Sequence, residues 1–149
     1  MKRFHYSLET VLDYKTQVLD NLKKEHAVTV KNVNDKKEEI RQLNGELREY
    51  EGSFDERKSQ GASIEDYLLF DLCIDRMKDQ IRQENERLIV LKKREEKKKS
   101  EVIDAKVDTS KFEKLKERRL QEYRAAEQKA EEAFIEEFVV HNRIASGIN

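Results

Sequence analysis

Between Leu8 and Phe54 the chain repeats one pattern without slipping. Leu8, Leu12, Lys15, Leu19, Leu22, His26, Thr29, Val33, Lys36, Ile40, Leu43, Leu47, Tyr50 and Phe54 follow one another in steps of three and four, and ten of these fourteen residues are apolar. A mean step of 3.5 residues keeps one stripe of an α-helix turned toward a partner, so the segment reads as a coiled-coil seam. A strand is excluded, because its side chains alternate every second residue. Ser7 is placed to cap the start of the helix, with Tyr6 before it positioned to pack on Val11.

The pattern stops at 52–63, where serines, glycines and charges collect, and restarts at Ser63 with Asp66 three residues on, as in a capping box. A second seam follows through Tyr67, Phe70, Ile74, Met77, Ile81, Glu84, Leu88, Leu91, Glu95, Lys98, Val102 and Ala105. Two long arms joined by a short connection pack antiparallel, giving an all-α fold: a two-helix coiled-coil hairpin with a C-terminal overhang. The expected elements are helix 7–54, turn 52–63, helix 63–108, a hinge or second cap at Asp108-Thr109-Ser110, and a C-terminal helix 111–144, all in one coiled-coil domain.

Arm lengths create the overhang. With the turn centred near residue 59, Leu8 falls opposite about residue 110, and each arm extends on the order of 70 Å at 1.5 Å per residue. Beyond that point Phe112, Leu115, Tyr123, Ala126, Ala130, Ala133, Phe134 and Phe138 still carry an apolar stripe, which on this reading has no partner in the chain.

Composition agrees with a charge-laced helical protein. Charged residues make up 42% of the 149 against a net charge of −1, there is no Pro or Trp, and there are only four Gly. A many-stranded sheet and a glycine-rich phosphate loop both lack their turn residues. Leu, Ile, Val and Phe form about a quarter of the chain, more than disordered chains of high net charge contain. No stretch approaches the roughly 20 apolar residues of a membrane span, and no apolar signal-peptide core follows Lys2 and Arg3, so a cytoplasmic location is expected. Cys73 is the single cysteine, which rules out an internal disulfide.

The sequence offers little site chemistry. His5, His26 and His141 are far apart and no His-x-x-x-His or Cys-x-x-Cys spacing occurs, so neither a metal site nor a cofactor is expected. A two-helix ribbon encloses no pocket in which paired carboxylates acquire separate pKa values, so no catalytic residues are assigned. The run Lys92-Lys93-Arg94-Glu95-Glu96-Lys97-Lys98-Lys99 is interrupted by glutamates and reads as a solvated face, without nucleic-acid binding. His26 on the first seam reads as a register residue, and Lys15 and Lys36 as side chains that snorkel to water. Phe70, Cys73 and Met77 lie one turn apart near the hairpin end, as core or, more sharply, as a soft docking patch.

Both ends resemble a known family. Phe4-His5-Tyr6-Ser7-Leu8-Glu9-Thr10-Val11-Leu12 resembles the opening of FliJ, the coiled-coil protein of the flagellar type III export apparatus. Lys111-Phe112-Glu113-Lys114-Leu115-Lys116-Glu117-Arg118, then Tyr123 and Glu127-Gln128-Lys129, resembles that family's Glu-Lys-Leu-Lys element and its Glu-rich segment; Glu136-Glu137 stands where relatives often carry Asp-Glu. The resemblance implies a non-catalytic stalk that enters the hexameric export ATPase, connects it to the membrane export gate and binds export chaperones, held peripherally at the inner face of the cell membrane. With the overhang, it makes Phe112, Leu115, Arg118, Arg119, Tyr123, Arg124 and Phe134, together with Leu8 and Leu12, the candidate ring-binding residues, and Phe70, Cys73 and Met77 the candidate gate-docking residues. The alternative reading is a homo-oligomeric coiled-coil spacer that pairs through 112–140.

Overall fold

The computed structural model describes residues 2–147. Two helices account for nearly all of them: α1, Glu9–Ser59, of 51 residues, and α2, Ile64–Ala145, of 82 residues. They pack against each other as a helical hairpin, as the two seams require. By its contacts the chain divides into one unit of Asp20–Ile103 and another of Met1–Leu19 with Asp104–Asn149.

The Asp20–Ile103 unit contains the turn. The sequence reading ends the first helix at 54, but α1 continues through Gly52 and Ser53 to Ser59. Gly52 faces open space, so it costs the helix only its intrinsic propensity, about 1 kcal/mol, and ends nothing. The helix stops at Gly61, whose φ of 91° is the left-handed conformation that glycine adopts without strain, and the Gly61 amide donates to the Lys58 carbonyl at 3.3 Å. Ser63 caps α2: its Oγ accepts from the Asp66 amide at 3.1 Å. The Asp66 carboxylate leaves the capping box and pairs with Arg57 of α1 at 3.4 Å.

Burial in this unit follows the seams. Val33, Ile40, Phe54 and Ile74 are each less than 9% exposed, and the other apolar seam residues are half-buried except Tyr67, whose ring still meets that of Phe54 at 5.2 Å. Four polar seam residues meet in pairs across the interface. Lys36 Nζ lies 2.6 Å from a Glu84 carboxylate oxygen, and His26 Nε2 lies 2.9 Å from Glu95. Lys36 therefore does not snorkel: Glu84, only 5% exposed, would otherwise be a carboxylate without a counter-charge. Glu84 also holds Arg87 at 2.6 Å.

In the other unit α1 begins at Glu9, two residues later than the sequence reading, with the Leu12 amide donating to the Leu8 carbonyl at 2.9 Å. Tyr6 turns toward α2 and Val11 remains exposed. Leu12 and Leu19 are buried, and Lys15 pairs with Asp108 at 2.6 Å. The expected hinge at 108–110 is uninterrupted helix. Thr109, 3% exposed, satisfies its hydroxyl inside the helix, 2.7 Å from the Ala105 carbonyl one turn back, with the Lys15 carbonyl at 3.3 Å. A Thr-Ser pair stops a helix only when those hydroxyls bond to the main chain of a turn.

Candidate functional site

The end of α2 was expected to lack partners from about residue 110 onward, and the structure corrects this. The residues before α1, with Glu9 at its start, cover the first part of the overhang. The Tyr6 hydroxyl donates to the Phe112 carbonyl at 3.0 Å, Lys116 pairs with Glu9 at 2.8 Å, the Phe4 and Tyr123 rings meet at 5.5 Å, and the Tyr123 hydroxyl donates to the Lys2 carbonyl. An extended chain advances more than twice as far per residue as a helix, so the four steps from Tyr6 back to Lys2, about 14 Å, nearly match the eleven helical residues from Phe112 to Tyr123, about 16 Å.

The candidate ring-binding residues thus separate into two groups. Leu12 is buried, and Leu8, Phe112, Leu115 and Tyr123 are half-buried against the chain itself. Arg118, Arg119, Arg124 and Phe134 are exposed. The sequence reading has Phe134 and Phe138 on this overhang but misses Ile135, Val139, Val140 and Ile144. From Arg124 to the end of α2 every residue is exposed, including Phe134, Ile135, Phe138, Val139, Val140 and Ile144.

These six residues spread over most of the circumference of the helix. Phe134 and Phe138 prolong the stripe of Thr109, Phe112 and Tyr123, Ile135 and Val139 lie to one side of it, and Val140 and Ile144 to the other. Glu136 and Arg143 occupy the remaining side, so the apolar surface is wider than the single stripe that one partner helix covers. The charge changes along the same stretch: Lys114, Lys116, Arg118, Arg119 and Arg124 outnumber the acids from 113 to 124, whereas Glu127, Glu131, Glu132, Glu136 and Glu137 face only Lys129 between 125 and 137.

The gate-docking candidates lie on the packed side of α2. The Phe70 ring stacks on Phe54 at 5.0 Å and meets Tyr50 at 5.3 Å, and Cys73 and Met77 are half-buried on the same face. The thiol of Cys73 beside the Tyr50 hydroxyl pushes the pKa of that phenol up. They act as core. Among the described residues no group of three or more His, Cys, Asp or Glu is arranged to hold a metal ion, and no helix is long and apolar enough to cross a membrane.

The model of the family described as Flagellar FliJ protein matches residues 4–147. The chain belongs to the FliJ family. It is thereby a flagellar export-related protein, from a family that is a non-catalytic component of export. No curated protein and no solved structure matches it. The FliJ match takes in both halves of the contact between Phe4 and Tyr123 and also the bare stretch of α2.

Proposed function

We propose that this FliJ-family chain is a non-catalytic coupling stalk of the flagellar export apparatus, and that the bare end of α2, from Arg124 onward, is the part that enters a hexameric export ATPase. The observation that carries this reading is the exposed apolar surface that α2 presents on several sides from Phe134 to Ile144, interrupted on one side by Glu136 and Arg143. A single flat partner covers one face of a helix, whereas the inside of a ring covers all of them. The membrane export gate and the export chaperones are the further partners of this reading, which holds the protein peripherally at the inner face of the cell membrane.

Arg118, Arg119 and Arg124 steer and orient the encounter, and the buried aromatic and aliphatic side chains supply most of the affinity. The switch from basic to acidic charge near Arg124 calls for a ring surface that is acidic at its mouth and basic deeper in.

Truncation after Arg124 tests this more cleanly than truncation at Asp108, because it keeps the Phe112, Lys116 and Tyr123 contacts that hold the N-terminal segment. The truncated chain is expected to remain folded by circular dichroism and to lose stimulation of a co-purified export ATPase. Full stimulation by the truncated chain refutes the assignment. In the alternative reading, a spacer, the same stripe pairs with a second copy. Sedimentation equilibrium then shows a concentration-dependent oligomer that the truncation abolishes.

A further inference from the structure

At the turn end of the Asp20–Ile103 unit, α2 carries a second exposed apolar surface, on the side away from α1. Ile64, Leu68, Leu69 and Leu72 are 81%, 61%, 60% and 49% exposed. Ile64, Leu68 and Leu72 follow one another at four-residue steps with Leu69 beside them, while Phe70, Ile74 and Met77 turn the opposite side of the helix into the interface. Four large aliphatic side chains within nine residues form a contiguous patch, unlike the scattered apolar residues that any protein surface shows.

The charge around the patch selects what covers it. Between Ile64 and Asp75 α2 has four acids, Glu65, Asp66, Asp71 and Asp75, and no Lys or Arg. Asp66 is taken by Arg57, whereas Glu65, Asp71 and Asp75 are exposed around the leucines. An anionic lipid surface is repelled by this rim. A second copy docking by the same patch would bring three carboxylates against three.

We propose that the outward face of α2 at the hairpin end is a docking site for a basic amphipathic helix of a partner protein, whose apolar stripe covers Ile64, Leu68, Leu69 and Leu72 and whose flanking Lys or Arg residues meet Glu65, Asp71 and Asp75. The mode is that of a helix laid along an apolar strip, anchored by side chains at three- and four-residue steps and oriented by charge. The proposal does not depend on the assignment of the ring-entering end of α2.

The test uses the full chain and, as probe, a fluorescent Leu/Lys amphipathic peptide of about five helical turns, with a Leu/Glu peptide of the same apolar pattern as control. The expected result is binding of the Leu/Lys peptide that weakens with salt, weakens by at least about tenfold in L68S/L72S, and loses most of its salt dependence in E65Q/D71N/D75N. F134S/F138S is expected to bind as the parent does. Circular dichroism of L68S/L72S should match the parent, because both side chains already face water. The proposal is overturned by equal binding of the Leu/Glu peptide or by unchanged affinity in L68S/L72S. It is overturned equally if L68S/L72S abolishes self-association in sedimentation equilibrium, or adsorption to phosphatidylserine vesicles, since the patch then serves a second copy or a membrane.

Discussion

The Tyr6 hydroxyl and the Phe112 main-chain carbonyl are 3.0 Å apart although 106 positions separate them in sequence. This bond and the burial of the ring, 4% exposed, attach a non-helical segment to α2. Tyr6→Phe removes one hydrogen bond and is expected to cost about 1 kcal/mol, whereas Tyr6→Ala, which also removes the ring, is expected to cost about 3 kcal/mol. Amide exchange measured by mass spectrometry should speed up in residues 4–8 of Tyr6→Ala while α1 and α2 between 20 and 103 keep their protection.

The contact between Lys36 and Glu84 should show in the pH dependence of stability. The hydrogen bonds that Lys36 donates to Glu39 and Glu84 raise its pKa above 10.5, and the one it donates to Glu84 holds that carboxyl below 4.5. The depressed carboxyl contributes stability that is present above its unfolded value and lost as pH falls through the folded one. The raised ammonium contributes stability that is present below its unfolded value and lost as pH rises through the folded one. Their joint contribution is full between about pH 4.5 and 10.5 and fades outside that window. Glu84→Gln should flatten the acid side of a plot of melting temperature against pH, and Lys36→Met with Glu84→Leu together should cost less than Glu84→Leu alone.

Two β-branched residues of α1 isolate the effect of packing. Ile40 is 8% exposed and Val28 is 58% exposed. Ile40→Ala is expected to lose about 2 kcal/mol in urea unfolding, at the low end for a buried aliphatic because a two-helix interface is shallow. Val28→Ala should stay within about 0.5 kcal/mol. Equal losses would mean that the interface lies on another face.

The continuity of α2 at Thr109 distinguishes helix from hinge. A proline there removes a main-chain donor and clashes with the preceding turn, so Thr109→Pro is expected to cost about 3 kcal/mol or more. A hinge would accept it with little change in melting temperature.

The seams were legible because they depend on a single quantity, the 3.5-residue period, and each of the fourteen residues read on the first seam is buried or half-buried. Gly52 and Ser53, and again Thr109 and Ser110, misled the reading for a common reason. Propensities of this size, near 1 kcal/mol, are outweighed when the residues on either side are already committed to an interface. The segment from Lys2 to Tyr6 was not legible at all, since an extended chain lying on a helix has no period; its only trace was Phe4 and Tyr6 alternating with Arg3 and His5. The breadth of the apolar surface at the end of α2 escaped notice because the seam pattern records one face, and Ile135, Val139, Val140 and Ile144 lie off it.

Lys15 and Lys36 on α1 find their opposite charges, Asp108 and Glu84, on α2. During synthesis α1 leaves the ribosome first, and its apolar stripe waits for a complement while other nascent copies emerge nearby on the same message. Two such stripes lying parallel would set Lys15 against Lys15 and Lys36 against Lys36; two α2 stripes would set Glu84 against Glu84. Only an α2 stripe neutralises the first helix, and the chain's own is tethered to it by a short turn, so the polar residues that interrupt the seam disfavour pairing between two first helices and leave the hairpin as the favoured outcome.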